Sequence, residues 1–174
     1  MKNNLPKRKS TRLKGYDYSA PGAYFVTICV KDRKELLSKI IVGTGVLDCP
    51  QNILTNYGEI ANKHLQNMSD FYEDIKLTKF VIMPNHIHLL IQILETNKSN
   101  GPSGTPVPTN SEMAKFVSTF KRFCNKEYGE NIWQARSNDH IIRDEMDYRK
   151  IWEYIDTNPL KWEKDCFYNS ETPM

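Results

Sequence analysis

Two histidines one residue apart, His86 and His88 in Met83-Pro-Asn-His-Ile-His-Leu-Leu90, are the sharpest chemical feature of the sequence. An apolar run comes directly after them, which places them in a strand, where residues two apart point to the same face. The two imidazoles then project together while Ile87 and Leu89 pack behind. That is half of a metal site. Imidazole suits Mn, Zn, Fe and similar ions, whereas Mg prefers oxygen, so two histidines do not name the ion. Taken alone, such a pair is read at least as readily as two half-buried strand residues.

The residues after the pair narrow the chemistry. A metallo-hydrolase of the β-lactamase type wants Asp and His directly after the second histidine, and a histidine-triad nucleotide hydrolase wants a third alternating histidine. Leu89 and Leu90 supply neither. A nucleophile must be sought elsewhere, and the region from Asp144 to Asn158 offers one. Tyr148, Ile151, Trp152 and Ile155 form an apolar helical stripe, with Tyr154 off its centre and Asn158 one turn further on the same side. A tyrosine hydroxyl and an amide oxygen so placed can approach one metal-bound phosphate, with the amide as a third, oxygen ligand. Singly, Tyr154 reads as a boundary aromatic and Asn158 as a helix terminator before Pro159. Their conjunction with the histidine pair favours phosphodiester chemistry. A divalent ion would polarise the scissile phosphate, and the phenol, with an ordinary pKa near 10, would need help to lose its proton.

Several elements must hold these groups. Ala23-Tyr-Phe-Val-Thr-Ile-Cys-Val30, bounded by Pro21-Gly22, predicts a central strand. Leu36 to Leu54 suggests a small hairpin or irregular ribbon. Thr55 to Asn67 predicts a helix capped by Thr55 or Asn56. Ile75 to Met83 and Asn85 to Leu94 predict two strands, or one broken strand, about Pro84. Residues 96–110 are nearly all turn formers and read as a mobile loop. Ser111 then caps a helix with Met113, Phe116, Val117, Phe120 and Cys124 on one side and Lys115, Lys121, Arg122 and Lys126 on the other. Asp144 caps the last helix, with Glu145 and Asp147 in its first turn. This rhythm predicts an α+β fold, an antiparallel sheet with helices packed on one face.

The formal charge of +3 is mild, but Lys2, Lys7, Arg8, Lys9, Arg12 and Lys14 precede the first acidic residue, Asp17. That basic arm, like the Lys115, Lys121 and Arg122 face, suits a polyanion. Charge alone fits a solubilising terminus equally well. The four scattered cysteines lack zinc or redox spacing and read as reduced thiols of a cytoplasmic protein. No run is long enough to span a bilayer and no secretion signal is visible, so no membrane partner is expected.

Taken together, Arg12-Leu-Lys-Gly-Tyr-Asp-Tyr18, Gly22-Ala-Tyr-Phe-Val-Thr-Ile28, Val81-Ile-Met-Pro-Asn-His-Ile-His-Leu-Leu90, Ile132-Trp-Gln134, Asp139-His-Ile-Ile-Arg-Asp144 and Glu153-Tyr-Ile-Asp-Thr-Asn-Pro-Leu-Lys-Trp162 resemble the REP-associated tyrosine transposases of the single-tyrosine HUH superfamily. The likeness runs from Arg12 to Trp162. It implies a ferredoxin-like fold, Tyr154 as attacking nucleophile, and His86, His88 and Asn158 as ligands of Mg2+ or Mn2+. It further implies cleavage and rejoining of single-stranded DNA beside hairpins, of the repetitive extragenic palindrome type, through a 5′-phosphotyrosine and a free 3′-hydroxyl. The domain plan is a basic arm 1–15, a transposase domain 16–165 containing the 96–110 loop, and a tail 166–174. Asn138 departs from the aromatic that relatives more often place there, and the 96–110 loop is long for its position. His140 reads as a supporting or DNA-contacting residue, or a structural one, and Tyr16 or Tyr18 as a base-stacking candidate.

Two other readings stay open. A domesticated relative would bind structured single-stranded nucleic acid without cutting it, although it would have no need of a nucleophile beside metal ligands. A water-using phosphodiesterase would cleave without a covalent adduct. A homodimer that exchanges the tyrosine helix is as compatible with the sequence as a monomer.

Overall fold

The computed structural model describes residues 16–41, 50–95 and 111–168. The basic arm, with Lys7, Arg8, Lys9, Arg12 and Lys14, and the 96–110 loop lie outside the described residues. Among these residues, six strands and three α-helices come in the order β1 (Gly22–Cys29), β2 (Ser38–Ile41), β3 (Gln51–Leu54), α1 (Asn56–Asn67), β4 (Ile75–Ile82), β5 (His86–Ile93), α2 (Glu112–Tyr128), β6 (Asn138–Ile142) and α3 (Glu145–Thr157). The main sheet is ordered β4-β5-β1-β6, and every neighbouring pair is antiparallel. With α1 between β1 and β4 and α2 between β5 and β6, this is the split βαβ arrangement of the ferredoxin-like fold.

The helices begin where side chains can satisfy their free backbone N–H groups. Thr55 accepts from the Gly58 amide, Ser111 from that of Ala114 and Asp144 from that of Asp147. Gly129, at φ 77°, ends α2 in the left-handed conformation that costs glycine nothing. The ribbon of β2 and β3 docks on the end of β4, with Ser38 Oγ and Asn52 Nδ2 both donating to the Ile82 carbonyl at 3.2 and 2.7 Å.

The two faces of the sheet have different neighbours. Tyr24, Val26 and Ile28 of β1, with Ile87, Leu89, Ile91 and Ile93 of β5, join Ala61 and Leu65 of α1 and Met113, Phe116, Phe120 and Cys124 of α2 in the main core. The intervening residues point the other way. Leu90 meets Ile151 and Ile155 of α3 there, flanked by Phe25, Val81 and Ile142. The expectation of helices on one face therefore holds for α1 and α2, while α3 covers the opposite face, because the row from Val81 through Leu90 and Phe25 is itself apolar and needs a cover. Trp152, placed in the stripe by its spacing, lies at the rim, with the Lys79 ammonium 4.1 Å from its ring centroid. β6 and the 3₁₀ turn Pro159–Lys164 were not anticipated from the sequence.

Candidate metal and nucleophile site

β5 carries both histidines on the α3 face, opposite the main core. Cross-strand register sets Cys29 against His86 and Thr27 against His88, with Val81 on the other side of His88. The short turn after β4 starts the strand at His86: the Met83 amide donates to the His86 carbonyl at 2.8 Å, and Pro84, which has no amide to satisfy, lies within the turn. Both rings are closed to solvent, His86 at 0% and His88 at 1% exposure.

The hydrogen-bond network fixes one imidazole's tautomer. Asn85 Nδ2 donates to two carbonyls, Phe167 at 2.8 Å and Arg33 at 3.3 Å, which turns Oδ1 toward His86. His86 Nδ1 lies 2.8 Å from that oxygen and must donate to it, leaving a lone pair on Nε2. His88 Nδ1 is held by Thr27 Oγ1 at 2.9 Å, and the two Nε2 atoms stand 2.9 Å apart. Without an ion, a proton must lie between them. With His88 Nδ1 protonated toward Thr27, both lone pairs converge on one point, the outer-partner arrangement that orients metal-bound histidines. Burial pushes the His86 imidazolium down to about 4, partly opposed by the Asp165 carboxylate, and burial together with the His86 charge pushes His88 well down. Both rings are neutral at neutral pH, the form in which an imidazole nitrogen can take a metal.

α3 brings Tyr154 and Asn158 to the same place. Tyr154 Oη is 3.3 Å from His88 Nε2, and its ring lies edge-on to Phe25. Asn158, the C-cap of α3, is 2% exposed, and its Oδ1 has no hydrogen-bond partner. A buried acceptor left unpaired costs roughly 1–3 kcal/mol, and an amide oxygen so placed is open to a cation. The donors present, two neutral imidazoles and an amide oxygen, fit a divalent ion of intermediate hardness.

A carboxylate that sequence reasoning missed completes the cluster. Asp165 joins His86 and His88 in a group whose potential ligand atoms lie within 4.8 Å of one another and which can hold a metal ion. Its Oδ2 accepts from Tyr154 Oη at 3.1 Å and Asn158 Nδ2 at 2.7 Å. Burial, then the Asp165 charge, pushes the Tyr154 phenol far up, so in this arrangement it is held protonated. Beyond Asp165 the chain covers the site. Phe167 lies against His86 with centroids 4.5 Å apart, and Arg33 Nη1 donates to the Cys166 carbonyl at 3.0 Å. Residues 166–168, assigned to a tail by sequence, thus form one wall. No spacing rule links Asp165 or Asn85 to the histidines; Asn85 stood in view beside His86 without a role.

The remaining candidates lie elsewhere. Lys115 and Arg122 are exposed on α2, across the sheet from the histidines, and Lys115 pairs with Glu112 at 2.7 Å. Lys121 does not share that open face. It sits next to Phe120 toward the core, donates to the Gln134 carbonyl at 2.8 Å, and burial lowers its ammonium to about 8. Tyr18 is buried in an aromatic cluster with Tyr16 and Tyr24, which removes it as a stacking platform. His140 pairs with Asp147 at 2.8 Å and links β6 to α3.

Comparison with known proteins gives this chain relatives of similar sequence and fold. No family model matches the sequence. An uncharacterized protein of Haemophilus influenzae is 36% identical over 92% of this chain and 93% of its own length. A putative REP-associated tyrosine transposase of the same organism is 28% identical, covering 83% of this chain and 74% of the relative. The REP-associated tyrosine transposase of Escherichia coli is 24% identical over 83% and 70%. This chain is a distant homologue of the REP-associated tyrosine transposases. The solved structure of a REP-associated tyrosine transposase bound to a REP hairpin has the same fold, with a TM-score of 0.60 at 20% identity over 87% of this chain and 74% of that one. The α+β architecture read from sequence is thus that of this transposase family. Among the described residues, no helix is long and apolar enough to cross a membrane.

Proposed function

We propose that this REP-associated tyrosine transposase homologue is a metal-dependent endonuclease that cleaves and rejoins hairpin-bearing single-stranded DNA, with Tyr154 as nucleophile and His86, His88 and Asn158 as metal ligands. The observation that carries the reading is the approach of Tyr154 Oη to within 3.3 Å of His88 Nε2, itself 2.9 Å from His86 Nε2. A phenol has no structural need to meet a buried, neutral imidazole that is itself paired with a second, beside an unpaired amide oxygen.

His86, His88 and Asn158 would hold a divalent ion such as Mg2+ or Mn2+, which would supply polarisation of the scissile phosphate and charge stabilisation at the leaving oxygen. Asn85 and Thr27 hold the outer nitrogens of the imidazoles, so both Nε2 atoms stay aimed inward. Tyr154 Oη forms a bond to phosphorus as the bond from phosphorus to the 3′-oxygen breaks. The phenol gives up a proton and the leaving oxygen takes one up, giving a 5′-phosphotyrosine and a 3′-hydroxyl; the reverse step rejoins the strand. Because both histidines are covered, residues 165–168 must move for a phosphodiester to enter.

Affinity for the DNA is assigned to phosphate contacts by the basic arm 1–15 and by the exposed Lys115 and Arg122, so it falls with rising salt, while Lys121 is left out because its ammonium is buried on the Gln134 carbonyl. On this reading residues 16–165 form the catalytic unit, with Cys166–Tyr168 adding a wall to its site. The test is incubation with labelled single-stranded hairpin DNA and Mn2+ or Mg2+, and then a denaturing gel. An adduct formed by the unmodified protein and absent with Tyr154→Phe is expected. Binding with neither cleavage nor adduct would point to a domesticated binder, and cleavage that survives Tyr154→Phe to a water nucleophile.

A further inference from the structure

We infer that Asp165 is itself a metal ligand of this chain, and that closure of residues 165–168 over the histidines is therefore linked to metal loading. This rests on the proposed metal at His86 and His88. The carboxylate belongs to the same cluster as the two imidazoles, and it is clamped on three sides. Tyr154 Oη and Asn158 Nδ2 donate to Oδ2, while the Phe167 amide donates to Oδ1 at 2.7 Å. Asn158 spends its amide nitrogen on Asp165 and keeps Oδ1 unpaired. The site thus gathers two imidazole nitrogens, an amide oxygen and a carboxylate. A mixed nitrogen and oxygen set with one negative charge suits Mn2+ better than a soft ion.

Asp165 comes from a segment whose other ties run to Arg33 and Asn85. The Arg33 guanidinium reaches the Cys166 carbonyl and lies 5.4 Å from the Phe167 ring centroid, and Asn85 holds the Phe167 carbonyl. Asn85 is also the partner of His86. One side chain therefore ties a fixed ligand to the segment that delivers the carboxylate. If the ion binds more tightly with the segment closed, it must by the same free energy hold the segment closed.

The experiment is calorimetric Mn2+ titration of the full chain and of Asp165→Asn, Asp165→Ala and a His86→Ala/His88→Ala double variant, with amide hydrogen exchange across 165–168 in each. Asp165→Asn preserves size and removes the negative charge, so it reports on the carboxylate should the alanine variant misfold. Loss of the negatively charged oxygen should weaken Mn2+ by about ten-fold or more in both Asp165 variants. Mn2+ should slow exchange across the segment in the unmodified chain and leave the variants unchanged. Affinity within about two-fold of the unmodified chain in Asp165→Asn, with binding abolished in the double histidine variant, would overturn the ligand role and leave the metal reading standing. Absence of Mn2+ binding by the unmodified chain would overturn both.

Discussion

Asn85 offers the most direct handle on how the site is held. Its side chain is 1% exposed and makes three contacts: Oδ1 accepts from His86 Nδ1 at 2.8 Å, and Nδ2 donates to the Phe167 and Arg33 carbonyls at 2.8 and 3.3 Å. Asn85→Ala strips all three. The His86 N–H is then left buried without a partner, at a cost of about 1–3 kcal/mol, while the two carbonyls lie in partly open residues and can recruit water, losing about 0.5–1.5 kcal/mol each at most. Because the three share one side chain, the losses overlap, and a total near 2–4 kcal/mol is expected. Asn85→Asp separates the terms: it keeps an acceptor for His86 but sets a buried carboxylate oxygen against both carbonyls, so it should destabilise at least as much as Asn85→Ala. Urea unfolding of the metal-free proteins measures this as a midpoint shift at constant slope. Mn2+ affinity should fall about 10- to 100-fold in Asn85→Ala, since an imidazole without its outer partner is free to turn. A stability change below about 0.5 kcal/mol with unchanged Mn2+ affinity would refute the claim that Asn85 orients His86.

The buried groups lead to two more expected outcomes. In metal-free protein, His86, lowered to about 4, and His88, lowered well below its ordinary 6.5, take up protons more readily when unfolded. Their contribution to stability is present above pH 6.5 and is lost as pH falls toward 4, at up to roughly 1.4 kcal/mol per pH unit for each group. Urea midpoints compared at pH 7 and 5 check this, and His86→Ala/His88→Ala should flatten the dependence. Gly58→Ala should destabilise by about 1–3 kcal/mol in thermal unfolding, because a Cβ there would lie 2.0 Å from the Leu37 carbonyl oxygen, a backbone atom that cannot swing aside.

Where sequence carried the structure, it did so through local rules. Thr55, Ser111 and Asp144 announce their helices because a capping side chain acts within three residues of itself. The alternation of β5 places His86, His88 and Leu90 on one face for the same reason: the strand period is local. β6 escaped because Asn138–Ile142 is a short edge strand whose pairing with β1 is long-range. The position of α3 escaped because Ile151 and Ile155 declare a buried face without saying which side of the sheet it meets. Asp165 escaped most completely. A lone aspartate after a 3₁₀ turn has no pattern, and only the folded turn beyond Asn158 brings it to the histidines.

A single strand, β5, gives alternate residues to the main core and to the site. Sheet register is set in steps of one residue, and a slip of one would turn Ile87 and Leu89 outward and drive both imidazoles into the hydrophobic interior. Chain length between Ile82 and His86 is therefore not free to drift in descendants of this gene. An insertion or deletion in that turn would damage folding and chemistry at one stroke, so lineages should hold its length fixed.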